Sequence, residues 1–150
     1  ELPVREQVVS SMQSAMPTHI LSGQESIALV AAVIKQYDLF VGNDSGLMHV
    51  SAAVGTPTIG IFGLTNHNAW GPYMPADHGR SMVVRLELPC MPCAYVGHSS
   101  GSIEGCSTRD CLNKLGVETV YEAVRQLVER NYGDDRSFVV NRLPSYKTGR

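Results

Sequence analysis

Residues 38–63 read DLFVG, then NDSGLMHVSAAVG, then TPTIGIFG. An apolar run of strand formers, an Ala-rich helical stretch and a second apolar run follow one another with short joins. This pattern constrains the fold more than any other feature of the chain. Strand, helix and strand joined this tightly make a βαβ unit, whose strands pair in parallel with a right-handed crossover as the strong default. The run at 38–42 has the unbroken apolar character of a strand covered on both faces. The helix is predicted over about 47–54, with Gly55 as its C-terminal cap and Pro57 soon after. The second strand is predicted over 57–63.

The rest of the chain fits around that unit. Apolar residues at 4, 8, 9, 12 and 16 predict a helix over 4–16 that Pro17 stops. THIL, 18–21, is a short strand candidate. Ser22 and Glu25 stand at the spacing of a capping box, which predicts a helix from there to about Tyr37. A further strand is predicted over 80–88 and a last helix over about 117–131, with Val117, Val120, Tyr121, Val124, Leu127 and Val128 on one stripe. The fold class is therefore α/β, a Rossmann-like, mostly parallel sheet with flanking helices. The domain is expected to span 1–131 and to lack its first strand or strands, with a tail over 132–150. The start at Glu1 rather than Met reads as a piece of a longer protein.

Composition excludes several classes. The chain has 150 residues, 43% of them hydrophobic and 17% charged, with a net charge of -2. That balance gives no basic surface for nucleic acid or for an anionic membrane. The longest apolar run, around 27–34, is too short to span a bilayer. Four cysteines in an ordinary α/β composition favour a reducing compartment, although an even count also allows two disulfides.

The chemistry gathers at 43–49, NDSGLMH, where a strand passes into a helix. Ligands of parallel sheets bind outside the carboxyl ends of the strands. Gly46 lets an anion approach the backbone closely. The N–H groups of Gly46, Leu47, Met48 and His49 open the helix and form an anion site. Ser45 can donate a hydroxyl and His49 a ring N–H. Asp44 is awkward beside a phosphate and suits sugar hydroxyls or a helix cap. The blander alternative is that Asp44 or Ser45 is a plain N-cap and His49 a hydrogen-bonded core residue. The glycines match neither G-x-G-x-x-G nor G-x-x-x-x-G-K-[ST], so dinucleotide-binding and P-loop readings are weak.

Residues 38–75 resemble the donor-binding segment of the ADP-heptose:lipopolysaccharide heptosyltransferase family. The elements NDSGLMH, the Ala-rich helix, GTPTIGIFGLT and WGPY occur in that family's order. The resemblance extends over about 1–131. It implies the C-terminal, nucleotide-sugar-binding half of a two-domain GT-B glycosyltransferase. It also implies heptose transfer from ADP-heptose to the lipopolysaccharide inner core, inverting and without a metal. On this resemblance Ser45, Gly46, Leu47, Met48 and His49 hold the diphosphate and Asp44 faces the sugar. Thr65 and the loop from Trp70 to Tyr73 lie beside the donor cleft. The catalytic base belongs to an N-terminal domain that this chain does not contain, so no catalytic residue is expected here and the chain alone is expected to be inactive. The lipopolysaccharide acceptor would be engaged through that domain. The resemblance further implies a cytoplasmic enzyme with peripheral contact at the inner membrane, and no cofactor, the ADP-sugar being a substrate.

Other residues carry competing readings. Cys90, Cys93, Cys106 and Cys111 read C-x2-C-x12-C-x4-C, a spacing that allows a structural zinc site with four thiolate ligands, buried thiols or disulfides. An alternative function is accordingly a non-catalytic ligand- or partner-binding α/β domain with such a zinc site. His67 and His78 read as solvated loop residues, and His98 has no evident partner. Trp70 either stacks on the donor or anchors its loop. The methionines read as core filler.

Overall fold

The structure, a computed structural model, describes residues 2–12, 18, 20–73, 79–93, 106 and 108–133. Within them the order is α1 (Leu2–Ser11), α2 (Ile27–Ile34), β1 (Phe40–Asn43), α3 (Gly46–Val54), β2 (Thr58–Ile61), α4 (His67–Trp70), β3 (Ser81–Val84), α5 (Asp110–Asn113) and α6 (Val117–Tyr132). The three strands form one parallel sheet in the order β1-β2-β3. The α/β reading of the sequence is thus correct, with β1, α3 and β2 as the expected strand–helix–strand unit.

The sheet separates two packed layers. Side chains alternate along β2, so Thr58 and Gly60 face one way and Ile59 the other. Ile59 joins Val84, Ala123 and Leu127 in the core beneath α6, with Leu39, Met82 and Val124 packed around them. Leu127 is fully buried, a contribution of about 1.5–3 kcal/mol for a side chain of that kind. The stripe predicted for the last helix supplies much of this face, except Val117, which is exposed at the helix start, and Ala123, which the stripe did not include. Tyr132, in the last turn of α6, donates its hydroxyl to the carbonyl of Asp38 at 2.8 Å and so ties the helix end to the segment leading into β1.

On the opposite face lies α3. A side chain at Gly60 would place Cβ 2.5 Å from Met48 Sδ and 2.9 Å from the Phe62 ring, so glycine here lets the helix sit close on the strand. Beside that contact runs a buried polar chain. Thr58 donates its hydroxyl to the carbonyl of Thr56 at 2.7 Å. Its one proton being used, Thr58 accepts from Ser51 Oγ, also 2.7 Å away. Thr56 in turn donates to the carbonyl of Ile34 at 3.1 Å, joining α2 to the unit. Gly55 ends α3 in the left-handed conformation, φ 82°, as its position predicts.

Several expectations shift. The strands are shorter than the apolar runs. Pairing of β1 begins where Phe40 N donates to the Pro57 carbonyl, because Pro57 has no N–H to offer in return. β3 ends with β2, the neighbour it pairs with. The candidate strand at 18–21 has no strand conformation at Thr18, Ile20 or Leu21, and His19 lies outside the described residues. Glu25 does accept from Ser22 N at 2.8 Å, one half of a capping box, but Ser22 Oγ donates to Glu25 instead of accepting its N–H. However, Gly23 turns left-handed at φ 88°, and the helix starts later, capped by Ser26. The first helix ends at Ser11. Met16, Pro17, His78, His98 and the tail from 134 onward lie outside the described residues.

Candidate functional site

β1 and β2 run parallel, and the segments leaving their carboxyl ends meet. Asp44 follows β1, and its N–H donates to the Ile61 carbonyl at 3.1 Å, which carries the ladder one step past the strand. Thr65 lies just beyond β2, and its Oγ1 donates to Asp44 Oδ2 at 2.6 Å. A hydroxyl-to-carboxylate bond of that length is a strong, charge-assisted one. Both residues are half-buried.

Ser45 turns the chain from Asp44 into α3. Its backbone is extended (φ -157°, ψ 167°), and its side chain makes no capping bond. The amides of Gly46 and Leu47 have no helical acceptor because of their position in the first turn. Gly46 is exposed, and a Cβ there would meet nothing within 4 Å, so the backbone is open to close approach. His49 is exposed one turn in. The imidazole is therefore accessible to solvent, and the alternative of a core histidine is excluded.

Met48, expected to offer its N–H to the donor, does not. Met48 is fully buried, its sulfur seated over Gly60, so its side chain cannot touch a ligand. Its N–H turns back to the Ser45 carbonyl at 3.1 Å and is no free donor either. Leu47 is exposed, but its side chain lines an apolar hollow of about 650 Å³ together with Val8, Met12, Ile20 and Ile27 from α1, α2 and the chain between them. Only its amide stands with the open start of the helix.

Residues 64–73, after β2, carry local structure. Asn66 caps the single turn α4 by accepting Asn68 N at 3.0 Å. His67 packs edge-on to Phe62, ring centroids 6.5 Å apart, and is not a freely solvated loop residue. Trp70 ends α4 half exposed. Sequence reading placed Thr65 beside the cleft but missed that it grips Asp44. The one signal for it was a threonine at the carboxyl end of the neighbouring strand.

Cys93 N donates to the Leu64 carbonyl at 2.9 Å, and the Leu112 side chain of α5 lies against Gly63, so the cysteine segments dock behind this same loop. Burial, then the neighbouring thiols of Cys90, Cys106 and Cys111, push the Cys93 thiol up. Thr108 and the Arg109 N–H, the latter 3.2 Å from its sulfur, pull the Cys106 thiol down. All four thiols are unbridged. Among the described residues no three His, Cys, Asp or Glu side chains stand together as a metal-binding set, so the zinc spacing finds no assembled ligand group here. No helix among the described residues is long and apolar enough to cross a membrane.

Comparison with known proteins accords with this geometry. Glycosyltransferase family 9 (heptosyltransferase) matches over residues 2–103. Lipooligosaccharide heptosyltransferase 2 of Campylobacter jejuni is 30% identical over 114 residues, 75% of this chain and 32% of that protein. Lipopolysaccharide heptosyltransferase 3 of Escherichia coli is 40% identical over 57 residues, 38% of this chain and 17% of that protein. Lipopolysaccharide heptosyltransferase 1 of Pseudomonas aeruginosa is 39% identical over 69 residues, 45% of this chain and 18% of that protein. The aligned part of this chain thus spans about a third or less of these relatives. No solved structure matches the chain. Sheet, helix start and family match agree: this chain belongs to glycosyltransferase family 9, the heptosyltransferase family.

Proposed function

We propose that this chain is the donor-binding part of a glycosyltransferase that transfers a heptose from ADP-heptose to the inner core of lipopolysaccharide. One observation carries the reading. At the carboxyl end of β1, α3 begins with an open Gly46 backbone, a serine hydroxyl not spent on capping and an exposed His49. These are donors without a competing acceptor, arranged as an anion would need them. The family membership and the heptosyltransferase names of the relatives support the choice of sugar and acceptor.

The diphosphate lies against the amides of Gly46 and Leu47, with Ser45 and His49 donating from their side chains. Asp44 would repel the phosphates and turns instead to sugar hydroxyls, which donate to it. When the sugar leaves, negative charge grows on the nucleoside diphosphate. Fixed N–H groups and the imidazole stabilise that charge most in the transition state. Removal of the acceptor proton belongs to a base in another domain. Inversion, independence of metal, the adenine preference and action at the cytoplasmic face of the inner membrane are taken over from the resemblance to the family.

Calorimetric titration of the chain with ADP, UDP and GDP tests this. Binding of ADP in preference to the other two is expected. Failure of all three to bind would remove the proposal in favour of a non-catalytic α/β domain.

A further inference from the structure

The geometry points to Thr65 as a positioning residue that sets the Asp44 carboxylate for the sugar half of the donor, an inference that rests on the donor-binding reading above. The two residues are 21 positions apart and leave the carboxyl ends of neighbouring strands, yet Thr65 Oγ1 stands 2.6 Å from Asp44 Oδ2. The backbone of Asp44 is fixed as well, through its N–H to the Ile61 carbonyl. With the main chain and one oxygen held, the carboxylate has little freedom to rotate. Among the described residues its second oxygen, Oδ1, has no hydrogen-bond partner. That oxygen is the acceptor left for a ligand.

The chemistry of the pair favours a neutral polyol over a phosphate. An ionised carboxylate only accepts, and sugar hydroxyls can donate to it. Diphosphate oxygens would repel it. The hydroxyl of Thr65 donates to Oδ2 and so keeps the carboxylate beside the start of α3 without neutralising its charge. One half of the site thus prefers an anion and the adjoining half prefers hydroxyl groups, and Thr65 holds the second half in place. Replacement of the hydroxyl by a methyl leaves Oδ2 unpaired in a half-buried position and frees the carboxylate to turn.

The test uses the 150-residue chain carrying Thr65→Val, Thr65→Ala, Thr65→Ser or Asp44→Asn, titrated with ADP and with ADP-heptose, together with thermal midpoints. The unsubstituted chain should bind ADP-heptose more tightly than ADP. Val and Ala should reduce that preference about tenfold while ADP affinity stays within about twofold. Ser should restore the preference, and Asp44→Asn should lose it. Equal weakening of both ligands by Val and Ala, no change with either, or failure of Ser to restore the preference would overturn the inference. If the unsubstituted chain binds ADP with no preference for the sugar form, the role of Asp44 and Thr65 falls while the anion site stands. If it binds neither ligand, both proposals fall together. Any variant whose midpoint shows an unfolded chain is replaced in the comparison by the other of the Val and Ala pair.

Discussion

At the start of α2, Ser26 accepts the N–H of Leu29 through its side chain at 3.3 Å; at the start of α3, Ser45 has a comparably extended backbone and accepts none. The same residue type closes one helix and leaves the other open. A capping bond stabilises a helix by about 1 kcal/mol. α3 forgoes it and is held from below, by the burial of Met48, Ser51 and Ala52 against the sheet. On the proposed function, the difference separates a helix start that serves the fold from one whose donors remain for a ligand. Sequence alone could not make that distinction, since Ser26 and Ser45 are equally good N-cap candidates.

The sharpest way to break the contrast is to remove the imidazole from the open start. In a full-length enzyme carrying this domain, His49→Ala should lower kcat/KM for the ADP-sugar about a hundredfold, as loss of a transition-state donor does. Because His49 is exposed, the thermal midpoint should not move. A change within about twofold, roughly 0.4 kcal/mol, would deny the residue that role.

The paired serines give the next largest effect, in opposite directions. Ser26→Ala should cost about 1 kcal/mol of stability, or about 2–4 °C in the midpoint, with ADP affinity unchanged. Ser45→Ala should leave the midpoint in place and weaken ADP about threefold or more, as expected on losing a hydrogen bond to a charged group. If Ser45→Ala destabilised the chain as Ser26→Ala does, α3 would be an ordinary capped helix.

The smallest effect concerns acid. Hydrogen bonds from Ser22 and Gly23 hold the Glu25 carboxyl down, from 4.5 to about 2. A carboxyl lowered in the folded state adds stability that is full above pH 4.5 and lost as pH falls towards about 2. Glu25→Gln should flatten that acid limb slightly in thermal melts, the carboxylate being well solvated. His49 and the open end of α3 should be untouched by it.

Elements built from local pattern were legible in the sequence. The strand–helix–strand unit, the Gly55 cap and, Val117 apart, the apolar stripe of α6 follow from residue spacing and appear where expected. What escaped depends on partners far along the chain. The strands stop where their neighbours stop, as Pro57 shows for β1. Glu25 makes one of the two bonds of a capping box, to Ser22 N, and the left-handed Gly23 delays the helix. Met48 sits in a run of candidate donors, but helical geometry sends its side chain to the core while its neighbours stay outside. The hold of Thr65 on Asp44 joins two loops that only strand pairing brings together. Thr65 is named from sequence as a neighbour of the segment 43–49, but its bond to Asp44 is not legible there.

The contact of Gly60 with Met48 reaches beyond packing. Because Gly60 has no Cβ to collide with the Met48 sulfur, α3 can sit directly on β2. On the proposed function, position 60 therefore works as a ruler for the height of the first-turn amides. A larger residue there would raise or tilt the helix and retune recognition from underneath, through an atom that no substrate meets.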